Sequence, residues 1–342
     1  MTVPSDTLVV IPCLNEAAHI GDLLTQLLAD PGCRNATIVV ADGGSSDATR
    51  DIVAKYVASD ARVRLFDNPR RLQSSGVNGA VRAFGGGMRW LVRIDAHCRY
   101  PSSYVEALVA TLVRTGAQSV VVPMATEGAA CFQRGVAAAQ NSKLGTGGSA
   151  HRIGAKSDWI DHGHHAGWAI EAFRAVGGYD ETFSHNEDAE LDRRLTQSGA
   201  RIWLAADLPI TYFPRAAPGR LLSQYYGYGR GRARTARRHR MRLKPRQMLP
   251  LLIAPAVLVA FASPLLWLTA APMAIWAAAC LGYGVVLAAK ARDYCVLASG
   301  PAAMIMHLAW SAGYWRERVF APPPPPFAAQ TSLSSDVDGI VA

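Results

Sequence analysis

The sequence has no CxxC pair, no regular cysteine spacing, no internal repeat and no basic stretch leading into an apolar run at its N-terminus. Six cysteines (Cys13, Cys33, Cys98, Cys131, Cys280 and Cys295) are scattered singly. That pattern excludes a zinc finger and a small disulfide scaffold, and predicts a reduced interior. Leu8–Ile11 is too short for the apolar core of a leader, so the first domain is expected to stay in the cytoplasm. Charged residues are scarce, at 18% of 342, against 50% hydrophobic. So apolar a chain is not disordered as a whole. Its length suits one large domain, or one domain with an appendage.

Two further absences are local. Between Pro214 and Arg246 there is no Asp or Glu, but there are eleven Lys and Arg. Outside that segment 24 basic residues face 26 acidic ones, so the net charge of +9 belongs to one stretch. From Gln247 to Ala289, 43 residues carry no charge. A spanning helix needs about 20 residues, so this segment fits two, with a turn expected near Thr269–Pro272. Tyr294–Trp315 is a third apolar stretch, which spans or lies in the interface. The interleaved Arg, Gly and Tyr around Tyr225–Gly229 resemble single-stranded nucleic-acid binders. A basic collar directly before apolar spans is explained by the positive-inside bias and by attraction to anionic lipid. The expected partner is therefore the membrane and not nucleic acid. These shifts divide the chain into a catalytic domain (1–218), a basic interfacial segment (219–246), a membrane region (247–316) and a Pro-rich disordered tail (317–342).

Short β-branched runs alternate with helical patterns through the first 218 residues. Leu8–Pro12, Thr37–Ala41, Val63–Phe66 and Trp90–Ile94 read as buried strands. Helical patterns run from Asn15 to Ala29, Ala48 to Ala58 and Ser75 to Phe84, and Asp47 reads as an N-cap. Gly85-Gly-Gly87 reads as a connector, Gly145-Thr-Gly-Gly148 and Asp158–Ala166 as loops, and Glu187–Gln197 as a helix. The alternation predicts an α/β domain with a largely parallel sheet.

Ligands of such sheets bind beyond the carboxyl ends of the strands. Three of these ends carry polar groups: Pro12–Glu16, Asp42–Asp47 and Asp95–His97. Asp95 and His97 suit a divalent cation, Mn²⁺ or Mg²⁺, that neutralises a departing diphosphate. His185-Asn-Glu-Asp188, at a helix start, offers a carboxylate as general base.

Taken in order, Val-Val-Ile-Pro12-Cys-Leu-Asn15-Glu16, Asp42-Gly-Gly-Ser-Ser-Asp47, Asp95-Ala-His97, Gly177-Gly-Tyr-Asp180 and Asn186-Glu187-Asp188 resemble a family 2 glycosyltransferase of the GT-A fold, a Rossmann-like mixed sheet that binds nucleotide-sugars. Asn68-Pro, Arg71-x-Gln73, Asn78-Gly79, Arg93-Ile-Asp-Ala-His97 and Gln224–Arg230 add likeness to its succinoglycan-biosynthesis subgroup. The resemblance implies an inverting transfer from a UDP-sugar. Pro12, Asn15, Glu16 and Asp42 would line the nucleotide pocket, with Asp42 at the uracil. Arg71 would approach the base or phosphates, and Asp95 and His97 would take the place of the family's Asp-x-Asp at metal and ribose. Asp188 would be the base. His164, His165, Glu187, Gln224, Arg230 and Arg232 would meet the acceptor or a diphosphate. His97 in place of Asp favours Mn²⁺ over Mg²⁺. The chain has no Gln-x-x-Arg-Trp motif, so the expectation is addition of one sugar rather than polymerisation.

The expected protein is thus a multi-pass inner-membrane enzyme with a cytoplasmic catalytic domain. It would pass glucose from UDP-glucose to a polyprenyl-diphosphate-linked acceptor in exopolysaccharide assembly. The alternatives are transfer to polyprenyl phosphate itself, and a membrane-tethered binder of nucleic acid or another anionic partner on an inactive fold.

Overall fold

The computed structural model describes residues 6–146, 156–243, 245–262, 266–325 and 327. These form two compact units, one of residues 6–124 and 156–210 and one of residues 125–146 and 211–325. Residues 125–146 therefore belong by their contacts with the C-terminal helices. Gly147 and Gly148, and the tail beyond residue 327, lie outside the described residues.

The first unit begins with β1 (Thr7–Cys13), α1 (Ile20–Ala29), β2 (Thr37–Asp42), α2 (Thr49–Ser59), β3 (Val63–Asp67), α3 (Gln73–Phe84), β4 (Trp90–Arg93), β5 (Cys98–Arg99), α4 (Tyr104–Thr115) and β6 (Ser119–Val122). The chain then passes through β7 (Met124–Thr126), α5 (Cys131–Gln140) and α6 (Lys143–Thr146). It returns with β8 (Asp158–Ile160), β9 (His164–Ala169), α7 (Ile170–Ala175), α8 (Glu187–Gln197), β10 (Ile202–Leu204) and β11 (Ile210–Tyr212). The second unit continues with α9 (Pro218–Arg238), α10 (Pro245–Leu251), α11 (Ile253–Ala262), α12 (Leu266–Ala291) and α13 (Ser299–Phe320).

An eight-stranded sheet runs β3-β2-β1-β4-β9-β6-β10-β8. β1 pairs in parallel with β2 (Cys13 opposite Asp42) and with β4 (Val10 opposite Arg93), so their carboxyl ends open at one edge. Both faces are covered. Val9, Ile11, Ile38 and Val40 pack with Leu24, Leu108 and Leu112 on one side, and Leu8, Val10 and Val39 with Val77, Phe173 and Leu195 on the other. Continuous apolar runs are what burial on both faces requires.

The sheet is mixed. β9 is antiparallel to both β4 and β6, and lies where the sequence suggests a His-rich loop. Its residues His-His-Ala-Gly-Trp-Ala lack the β-branched signal of a strand. Central pairing decides instead, because it satisfies the backbone groups that Ala166 and the fully buried Trp168 bring into the core. A second difference lies at the first loop. α1 starts at Ile20, not Asn15, because Asn15 takes φ +57°, which a helix cannot continue through.

The second unit corrects two expectations. Thr269–Pro272 is not a turn but lies inside α12. Pro272 stands inside that helix, where it removes one backbone N–H donor. Among the described residues, the helices long and apolar enough to cross a membrane are Ala270–Ala291 and Tyr294–Phe320, whereas Gln247–Ala262 is shorter. The cysteines are also not all reduced. Cys131, at the start of α5, is joined to Cys295 in the turn Tyr294–Ala298. A separation of 164 residues hides such a pair from any local spacing rule. Cys13, Cys33, Cys98 and Cys280 are free.

The basic collar forms α9, packed lengthwise on α13. A Cβ at Gly229 would overlap the carbonyl oxygen of Trp310, and one at Gly313 that of Tyr226. Gly229 of the Tyr/Gly run thus serves close helix packing. Arg237 Nη1 donates to Glu317 O at 2.8 Å and to Ala321 O at 3.0 Å, meeting carbonyls left open at the end of α13.

Candidate active site

The site is built at the strand ends of the first unit. The loop after β2 holds the loop after β1. Ser46 N donates to Asn15 Oδ1 at 2.8 Å, Asn15 N to Ser45 Oγ at 2.8 Å, Glu16 N to Thr49 Oγ1 at 2.8 Å, and Ala17 N to Asp47 Oδ2 at 3.2 Å. Pro12 lies on β1 opposite Ala41 of β2. The N-cap of α2 is Ala48 rather than the expected Asp47, which stands one residue earlier and accepts the Thr49 N–H at 3.0 Å.

Asp42 is 1% exposed, with its carboxylate turned into its own loop. It accepts from Gly44 N at 3.0 Å, from Ser45 N and Oγ, and from Arg50 Nη1 at 2.8 Å. Burial opposes its charge, but the donors of Ser45, Arg50 and Gly44 outweigh burial and hold the carboxyl below its ordinary value. Arg50 also reaches Asp67 at 2.7 Å. Gly44 takes φ +78°, and a Cβ there would stand 3.5 Å from Arg71 Nη2, so the Arg71 side chain lies against this loop. Sequence reasoning assigned no role to Arg50 or Asp67.

The end of β4 carries the next group. His97 Nδ1 lies 3.0 Å from Glu16 Oε1, joining two of the expected nucleotide-site residues. The imidazole of His164 approaches Asp95, with Nε2 3.6 Å from Asp95 Oδ2. An antiparallel strand begins where its parallel neighbours end, and that brings His164 of β9 to the end of β4. His165 follows it on β9, opposite Val121. Among the described residues no group of three His, Cys, Asp or Glu side chains is arranged to hold a metal. Asp95 with a neighbouring imidazole fits a cation that takes its remaining ligands from diphosphate oxygens and water.

One residue ties this group to α8. Arg93 is buried on β4, with 1% of its side chain exposed. Its Nε stands 3.3 Å from Asp95 Oδ1, and its Nη1 donates to Asp188 Oδ1 at 2.7 Å. Tyr179 Oη donates to the same Asp188 oxygen at 2.7 Å and accepts from Arg93 Nη1 at 2.7 Å. Burial disfavours a guanidinium charge, but Asp188 and Asp95 reverse that and hold Arg93 well above its ordinary value. Asp188 sits in the first turn of α8, where the helix terminus favours a carboxylate. Its neighbour Glu187 is pushed up to about 7, first by burial and then by Asp188. Gln73 Nε2 lies 3.3 Å from Glu187 Oε1. Sequence reasoning missed Arg93 and Tyr179 as contacts of Asp188. A single charge inside the apolar run Trp90–Ile94 was the available signal.

The remaining acceptor candidates belong to the second unit. Gln224 Nε2 donates to Tyr212 Oη at 3.0 Å, Arg230 Nε pairs with Glu317 Oε2 at 3.1 Å, and Arg232 Nη2 reaches Gln247 Oε1 at 3.2 Å.

A family model described as glycosyl transferase family 2 matches residues 8–171. The chain is 53% identical over 313 residues to the succinoglycan biosynthesis protein ExoA of Rhizobium meliloti (strain 1021), covering 92% of this chain and 95% of that protein. Among solved structures, the mannosyltransferase PcManGT from Pyrobaculum calidifontis, in complex with GDP-Man and Mn²⁺, aligns with a TM-score of 0.53 and 20% identity. That alignment covers 89% of this chain and 87% of the other, and at this identity it speaks for the fold alone.

Proposed function

The chain belongs to glycosyl transferase family 2, and from that membership we propose that it transfers one hexose, glucose, from a UDP-sugar to a polyprenyl-diphosphate-linked acceptor in exopolysaccharide assembly. The reaction is an inverting displacement. Asp188 takes the proton of an acceptor hydroxyl, the oxygen attacks the anomeric carbon in line, and the bond from that carbon to the diphosphate breaks to release UDP. The observation that carries this reading is the Arg93 guanidinium, which contacts both Asp95, on the donor side, and Asp188.

Pro12, Asn15, Glu16, Asp42 and Arg71 form the nucleotide pocket in this reading. Asp42 acts through its loop, whose shape its carboxylate sets. Asp95 and His97, with His164 beside them, would hold a Mn²⁺ or Mg²⁺ ion. Such an ion compensates charge on the leaving diphosphate. His164, His165 and Glu187 line the acceptor side, and Gln224, Arg230 and Arg232 meet the lipid-borne diphosphate. The two long apolar helices and the basic α9 support attachment to the cytoplasmic face of the inner membrane.

A donor screen with the purified protein in detergent, scored by UDP release in Mn²⁺, tests the reaction. Turnover with UDP-glucose and a diphosphate-linked lipid supports the reading. Turnover with polyprenyl phosphate alone replaces the acceptor, and no nucleotide release from any donor overturns it.

A further inference from the structure

We propose that Tyr179 and Arg93 are positioning residues that set the direction and the proton affinity of the Asp188 carboxylate. This inference rests on the reading of Asp188 as the base.

The argument starts from the way Tyr179 is held. Its side chain is fully buried among Trp168 and Phe173, with ring centroids 6.0 and 5.6 Å away. Its backbone is fixed on both sides, with N donating to Asn78 Oδ1 at 2.9 Å and O accepting from Asn78 Nδ2 at 2.8 Å. The hydroxyl is therefore aimed by the core. Burial holds Tyr179 well above its ordinary value, so the group stays protonated and acts as a donor throughout the neutral range.

Arg93 is held as firmly. It stands on β4, between β1 and β9, and both it and Tyr179 place a donor 2.7 Å from Asp188 Oδ1. The second Arg93 contact, Nη2 to Oδ2, is longer at 3.4 Å. One carboxylate oxygen is thus held from two sides by groups that cannot rotate away. Among the described contacts, the charged and titratable groups facing Asp188 include Arg93 from β4, Tyr179 from the segment before α8, Glu187 on α8 itself and, beyond the guanidinium, Asp95. Arg93 and Tyr179 favour the charged carboxylate, and Glu187 and Asp95 oppose it.

A group that merely packs the core and a group that tunes a base differ in what their removal moves. Tyr179→Phe keeps the ring and deletes one donor to the charged carboxylate. The acid limb of the kcat–pH profile should move up by about one unit, with UDP affinity unchanged. Arg93→Lys keeps the charge but loses the fork that spans Asp95 and Asp188. Its kcat should fall about 100-fold while the donor KM stays within about threefold. A wild-type acid limb in Tyr179→Phe, or a loss equal at every pH, overturns the inference, and so does wild-type kcat in Arg93→Lys. If Arg93→Lys does not fold, Tyr179→Phe decides alone. Asp188→Asn separates the two levels. Retained turnover there sinks the base assignment itself, whereas an inactive Asp188→Asn beside an unshifted Tyr179→Phe sinks only this inference.

Discussion

Asn78 grips the backbone of Tyr179 on both sides, and the same Nδ2 also reaches Glu181 Oε1 at 3.0 Å. A helix residue thereby fixes a segment 101 positions later, and through it the start of α8. Glu181 is itself buried and held by Arg70 at 2.7 Å. Asn78→Ala leaves a buried N–H and C=O without partners, and should cost about 2–4 kcal/mol of stability. Urea unfolding measures this, and a loss under about 0.5 kcal/mol would contradict it.

Asp95 offers a second test. In Asp95→Ala, UDP affinity in the presence of Mn²⁺ should fall about tenfold or more, toward the affinity measured without the ion. Titration calorimetry with and without Mn²⁺ separates the two contributions. Full Mn²⁺-dependent affinity in the variant would remove Asp95 from the donor site.

Glu187 makes stability depend on pH in a defined direction. Its ordinary value is 4.5 and the fold raises it to about 7, so across that window the folded chain keeps a proton the unfolded chain has released. The contribution of Glu187 should therefore be fully present below pH 4.5 and be lost as pH rises through 7. Glu187→Gln, uncharged throughout, should match wild type at the acid end and exceed it at pH 8 by about 1–2 kcal/mol after solvent screening. Equal thermal midpoints at pH 8 would refute the raised value.

The Cys131–Cys295 link predicts a mass spectrum. Under denaturing, non-reducing conditions, alkylation should label the four free cysteines, and after reduction all six. Reduction should also lower the stability of the second unit by about 3–5 kcal/mol, the usual weight of a bridge closing a long loop. Six labels without reductant would remove the link.

The strand ends that carry the candidate site are legible in the sequence because parallel strands announce themselves. The apolar runs ending at Pro12, Ala41 and Ile94 each hand over to polar residues, and a doubly covered sheet gathers such ends at one edge. What pattern could not supply was partnership. Arg93 and Asp188 lie 95 positions apart, and nothing local to either names the other. His164 was noticed as one histidine among several, but its contact with Asp95 depends on β9 entering the sheet against the direction of its neighbours. β9 itself was invisible because its tertiary setting, not its composition, makes it a strand. The glycines of Tyr225–Gly229 looked like a chemical motif. For Gly229 the reason is a helix crossing in which Gly313, 84 positions later, also takes part.

That crossing has a mechanical consequence. With Gly229 and Gly313 letting α9 and α13 meet backbone to backbone, and Arg237 closing the end of α13, the cationic and the apolar helices move as one stiff bracket. In the proposed attachment, a pull by anionic headgroups on the arginines would be delivered through this packing to the apolar helix, and depth in the lipid and charge at its surface would become a single coordinate.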